Sequence, residues 1–345
     1  MSQDALEITP RNSGAWMIGL LVSMGALAVA FWGARPERLV GALRSAQFVY
    51  LIPAVGMLLM GLIARARSWQ ILLGDGVPLT RAFWALNAGY LLNNALPFRL
   101  GEMGRAYLIS RGREGRAGSA SRALSSVVVE RLIDVVVSLT GLIAVLPFAL
   151  SAAWAPRVAW VSGGLALALF SGLYLAARNR PAVVRLVEAV LARFPGKRMS
   201  RLSNMADSFL MGLDVLRDPR RLAGAGIWSA IAWLTAWAQI WCAQRAFGIG
   251  SWITALFVLG VVAFGAAVPS SPGAIGVYEL AATAALLGFD VPRETALSVA
   301  LLSHAMLLGV TSVLGAIALA REGQSVSELA SSAQRVFMRT AREVS

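Results

Sequence analysis

Seven ionisable side chains stand in or beside apolar sequence: Arg99, Glu102 and Arg105, then Glu130, Arg131 and Asp134, and finally Glu279. Hydrocarbon does not solvate charge, so each is a candidate for function by default. Glu130 and Asp134 are i,i+4 neighbours on one helix face, and Arg131 reaches Asp134 at i+3. Three arginines face four acids, which leaves two readings open. The groups could form mutual salt bridges that hold chain segments together. Alternatively, the arginines could take a phosphate through their two-oxygen fork while the acids position them or relay protons. An intramembrane enzyme using Glu102 and Asp134 as an acid–base pair fits the spacing. It is disfavoured because the chain has no Asp-Asp pair for a metal–pyrophosphate site and no Gly-x-Ser-x-Gly. No enzyme activity is therefore expected.

Two of these sets lie on a pattern that occurs twice. Asn93-Asn94-Ala95-Leu96-Pro97-Phe98-Arg99-Leu100-Gly101-Glu102 and Pro269-Ser270-Ser271-Pro272-Gly273-Ala274-Ile275-Gly276-Val277-Tyr278-Glu279 each place a glycine four residues after a proline, followed by an acid. Proline and glycine break a helix, and a break at membrane depth needs protein or water to satisfy the freed backbone groups. Paired Gly/Pro interruptions in two halves of a chain point to a transporter's binding site. Free backbone N–H groups around Ser271 and Gly273 would suit an anion further.

Single occurrences of cysteine (Cys242) and histidine (His304) exclude an intramolecular disulfide and a Cys/His metal cluster. No metal and no cofactor is expected. His304 sits among Leu301, Met306 and Leu307 with no sequence neighbour to complete a site, and reads as a packed or capped helix residue. Trp228, Trp233, Trp237 and Trp241 share one helix face, which suits either chain packing or contact with a lipid tail.

The elements that must position these groups are membrane helices. Of 345 residues, 57% are hydrophobic and 14% charged, against roughly 25% charged in soluble domains. Apolar runs cover 14–33, 48–64, 125–150, 158–177, 222–246, 253–268 and 295–320. A span needs ~20 residues, so an all-α polytopic bundle of about eight transmembrane helices follows, with broken or re-entrant segments near 82–105 and 269–289. The first run lacks a basic leader and reads as a retained helix rather than a cleaved signal.

The net charge of +13 collects in 99–122 and 178–221, which the positive-inside rule assigns to the cytoplasm. Charge flanking spans argues for anionic lipid and against nucleic acid as the partner. With 65–81 also a cytoplasmic loop, 82–97 is expected to enter and return on that side. Residues 253–268 are expected to bring the second break to the inner side, leaving both termini cytoplasmic. Apolar residues at helical spacing over 178–221 predict an amphipathic elbow at the membrane interface.

The three blocks together resemble the signature motifs of the lysylphosphatidylglycerol synthase transmembrane-region family, also called the flippase-like domain family. They are Asn93…Leu96-Pro97-x-Arg99-x-Gly101-Glu102-x-x-Arg105, Glu130-Arg131-x-x-Asp134 and Pro269-x-Ser271-Pro272-Gly273-x-x-Gly276-x-x-Glu279. The resemblance implies one flippase-like domain over 1–320 and a short cytoplasmic tail over 321–345, too short for the soluble aminoacyl-transfer domain of full-length synthases. It also implies translocation of an anionic phospholipid, glycolipid or polyprenyl-phosphate-linked intermediate across a bacterial inner membrane. In that role Asn93, Asn94, Arg99, Glu102, Arg105, Glu130, Arg131, Asp134, Ser271, Gly273 and Glu279 would line the head-group site. The alternative is a non-transporting accessory subunit of a glycosyltransferase or lipid-modifying enzyme.

Overall fold

The computed structural model describes residues 13–74, 76–96, 100–111, 123–137, 218–265 and 270–332, with isolated positions between 164 and 189. Arg99, most of the expected elbow over 178–221, the part of the 125–150 span beyond 137 and most of the span expected over 158–177 fall outside those residues. Among the described residues every regular element is helical.

The helices are α1 (Ser13–Phe31), α2 (Pro36–Ser45), α3 (Leu51–Leu73), α4 (Leu79–Ala95), α5 (Gly101–Arg111) and α6 (123–137). They continue with α7 (Pro219–Arg245), α8 (Trp252–Gly265), α9 (Val277–Leu287) and α10 (Arg293–Glu322). Local signals set several ends. Asp218 accepts from the amides of Arg220 and Arg221 to start α7, with Pro219 in the first turn where its missing N–H costs nothing. Gly323 closes α10 in the left-handed conformation at φ 61°.

Among the described residues, Phe48–Leu73 and Arg293–Glu322 are long and apolar enough to cross a bilayer, and α1 with α2, bent by 82°, would add a third span. Met17, Leu21, Met24, Ile52, Ile63, Leu234 and Val313 are exposed apolar side chains, an arrangement suited to lipid rather than water.

Long helices α3 and α7 run antiparallel. Ser68 Oγ donates to the Ala225 carbonyl at 2.9 Å, and Arg245 reaches the Tyr50 hydroxyl at 3.4 Å. The Arg65–Arg81 loop expected from sequence is instead largely helix, since α3 continues to Leu73 and buries Trp69.

Two helical hairpins pack on α10 from opposite ends. In the first, Arg81 of α4 donates to the Leu108 carbonyl of α5 at 3.1 Å, joining the hairpin's feet. Arg321 lies over the Trp84 ring at 4.7 Å, so those feet sit by the Glu322 end of α10. Its tip reaches Thr311 and Ser312, to which Asn94 Nδ2 donates at 2.9 and 3.1 Å. In the second, Phe257 of α8 meets Phe289 beyond α9 at 5.4 Å, while the 270–276 break packs beside His304 and Leu308.

The second break lies beside the middle of α10. The two tips meet there, and a Cβ built on Gly273 would lie 3.8 Å from the Asn94 carbonyl oxygen. Each hairpin has its own apolar core. One is centred on Trp69, Leu86 and Leu92, the other on Val258, Leu286 and Val299.

Candidate functional site

Three guanidinium–carboxylate pairs gather where α3, α5 and α6 converge, and they run from buried to open. Arg105 Nη2 lies 2.8 Å from Glu130 Oε2, with side chains 4% and 3% exposed. That approach is out of line for a hydrogen bond, and neither atom has another hydrogen-bond partner, so the pairing is coulombic. The Arg105 guanidinium also stacks over Trp69 at 4.6 Å.

Arg65 pairs with Asp134, whose other oxygen accepts from Ser229 Oγ at 2.8 Å and Trp233 Nε1 at 3.2 Å. One carboxylate thus ties α3, α6 and α7 together. At the open end Arg131 Nη2 meets Glu102 Oε1 at 2.6 Å, with side chains 50% and 20% exposed.

A narrow cleft, with enclosed room for about one water molecule, opens beside these pairs and is lined by Gly89, Tyr90, Asn93, Glu102, Arg105 and Arg131 among others. Asn93 shapes its wall: Oδ1 accepts from the Gly101 amide at 2.8 Å, capping the start of α5, and Nδ2 points to Glu102 at 3.4 Å. The close approach of the two hairpin arms requires glycine, because a Cβ on Gly101 would collide with the Gly89 carbonyl oxygen.

The structure brings Asn93, Glu102, Arg105, Glu130, Arg131 and Asp134 together, while Asn94 faces α10. Arg99 lies outside the described residues. Arg65 is the member that sequence reasoning missed. Its signal was the run Leu62, Ala66, Trp69, Leu73 at helical spacing up to Gly74, which carries the helix past the charge.

Glu279 is not part of this cluster. Its Oε2 accepts from the Gly276 amide at 2.6 Å and its Oε1 lies 2.6 Å from His304 Nδ1. His304 is buried as expected and is held at both ring nitrogens. Its Nε2 faces the Gly273 carbonyl at 2.9 Å and its ring stacks on Tyr278. Two N–H groups at the break are used within the protein. Ser271 N donates to Ser23 Oγ of α1 at 2.8 Å, and Ala274 N to the Ser271 carbonyl at 3.0 Å. Of the tryptophans, Trp237 and Trp241 donate to the Trp252 and Gly250 carbonyls, both at 3.0 Å, and fasten the α7–α8 turn.

An all-helical membrane protein with two broken hairpins meeting beside paired buried charges is the class these observations define. Within it, the chain belongs to the family described as the lysylphosphatidylglycerol synthase TM region, which matches residues 16–315. No match was found among curated proteins. The family places this protein in membrane lipid handling.

Proposed function

We propose that the chain binds an anionic lipid or lipid-linked intermediate by its phosphate and moves it between leaflets. The observation that carries this reading is one cleft lined by two guanidinium groups, those of Arg105 and Arg131. Arg131 is half exposed, and its guanidinium can turn from Glu102 to a phosphate. Arg105 offers an N–H that the protein leaves out of line, which a phosphate oxygen in the cleft would satisfy. Asp134, saturated by Arg65, Ser229 and Trp233, acts as the scaffold.

In this reading the α4–α5 and α8–α9 hairpins are re-entrant segments whose tips meet at bilayer depth, shielded from lipid by α10 and their neighbours. The protein works in a bacterial inner membrane with both termini cytoplasmic. It is a transporter, not an enzyme, and its partners are membrane lipids.

The test is reconstitution in vesicles holding a tail-labelled anionic phospholipid, with flipping followed by quenching of the outer leaflet. Arg131→Lys keeps the charge and loses the two-oxygen fork, so it should slow flipping at least ~10-fold, as loss of a charge-assisted bond does. Its melting temperature should stay near wild type. Flipping no faster than in protein-free vesicles, for phospholipid, glycolipid and polyprenyl-phosphate probes alike, would refute the reading.

A further inference from the structure

The Glu279–His304 contact has a fixed proton requirement. Glu279 Oε2 already accepts from the Gly276 amide, and His304 Nε2 faces a carbonyl, which can only accept. Nε2 must therefore carry hydrogen. Nδ1, 2.6 Å from Glu279 Oε1, then needs one proton between the two atoms. That proton can sit on nitrogen, giving imidazolium and carboxylate, or on oxygen, giving imidazole and carboxylic acid. The pair is neutral either way, and all three hydrogen bonds are made.

Remove the proton and the arrangement fails. A neutral imidazole has one N–H, so either Nδ1 meets Oε1 or Nε2 meets the Gly273 oxygen as lone pair against lone pair, and a net negative charge stays buried.

We propose that Glu279 and His304 form a binding site for a single proton, and that this proton latches the 271–276 break to α10. Both side chains are almost fully buried. Among the described residues, what surrounds them carries no competing charge. Tyr278 stacks on the imidazole at 4.2 Å. The described side chains of α1, residues 17–31, and all of α8 include no ionisable group. On α10 the other ionisable residues lie at its two ends, Arg293 and Glu294 and then Arg321 and Glu322. On α4, Asn94 is the residue nearest the break, and Arg81 and Tyr90 are the titratable ones, with Tyr90 lining the arginine cleft.

Release of the proton frees one side of the break while Ser23 still holds Ser271, so the break hinges on α1. In the transport cycle this site makes the proton the coupling ion. That last step rests on the lipid-translocation reading; the proton site itself does not.

His304 is the chain's single histidine, so nitrogen-15 histidine labelling gives one imidazole to read by NMR in detergent. Three results are expected. First, wild type shows a strongly deshielded Nδ1 proton shared with a carboxylate, absent in Glu279→Gln. Second, amide hydrogen exchange at 271–276 in wild type, corrected for its intrinsic pH dependence, rises roughly 5- to 10-fold as that proton is lost with rising pH, the equivalent of one hydrogen bond. Third, the side-chain amide introduced by Glu279→Gln can donate to Nδ1 permanently, so exchange in that variant stays slow and independent of pH.

Equal, pH-independent exchange in both proteins, or an imidazole signal that Glu279→Gln leaves unchanged, would overturn the proposal. Vesicle flipping driven by an imposed pH gradient separates the two readings. Expected NMR and exchange results without flipping uphold the latch and sink translocation. Flipping indifferent to the gradient and to Glu279→Gln, with flat exchange, sinks the latch alone.

Discussion

Arg105 and Arg131 are the same residue type in two dielectric settings, and the difference decides what each can do. Arg105 and Glu130 are both buried, so deleting either takes away the other's nearest counter-charge, and Glu130 would keep only Arg65 at 3.9 Å. Arg105→Ala or Glu130→Gln should therefore cost roughly 3–5 kcal/mol, visible as a large fall in melting temperature. Replacing both by methionine should recover most of it, because two apolar chains of similar volume leave no orphan. Arg131→Ala, at the open end, should cost less than about 1 kcal/mol. Equal losses for Arg105→Ala and Arg131→Ala would contradict the buried-to-open gradient. The sequence marked Glu130 as an expensive residue but could not supply its partner. Arg105 comes from another helix, as His304 does for Glu279, and such pairings follow from packing rather than spacing. Arg65 escaped for a related reason: a charge after an apolar run looks like the edge of a loop until the helix is seen to continue beneath it.

The hairpins depend on glycine where backbone meets backbone. Gly276 has φ +90°, and a Cβ there would collide with the Ser23 carbonyl oxygen of α1. Gly276→Ala should thus cost about 1–3 kcal/mol for the backbone conformation alone, with the clash added. Gly101→Ala should cost about 1–3 kcal/mol by forcing α5 away from α4. Gly309 has nothing within 4 Å of its added Cβ, so Gly309→Ala should instead gain about 0.5–1 kcal/mol from helix propensity. Thermal melts of the three proteins check the set. A destabilised Gly309→Ala beside an unaffected Gly276→Ala would mean that the tips do not pack as described. Both breaks were legible from Pro97–Gly101 and Pro272–Gly276, because ring constraint and missing Cβ act locally. Whether the apolar run over 253–268 crosses or turns back was not legible, since that depends on the partner its far end meets.

At the scale of the whole molecule the two hairpins are arranged head to head along α10. The first has its feet by Arg321 and its tip at Thr311; the second has its feet near Phe289 and its break at His304. This opposed arrangement fits the inverted repeats in which a site forms at the meeting of two halves. Composition made the helical membrane class legible, but not this geometry, because hydropathy reports burial in apolar surroundings without direction. The arrangement makes a topological prediction that uses exposed positions and a background with Cys242 changed to alanine. Arg111→Cys and Glu322→Cys should react with an impermeant maleimide from one side of the membrane. Ser251→Cys and Gly288→Cys should react only from the other. The positive charge over 99–122 assigns the first pair to the cytoplasm. If Arg111→Cys and Ser251→Cys labelled from the same side, the hairpins would enter together, their tips could not meet from opposite ends of α10, and the cleft would not lie at a junction of two halves.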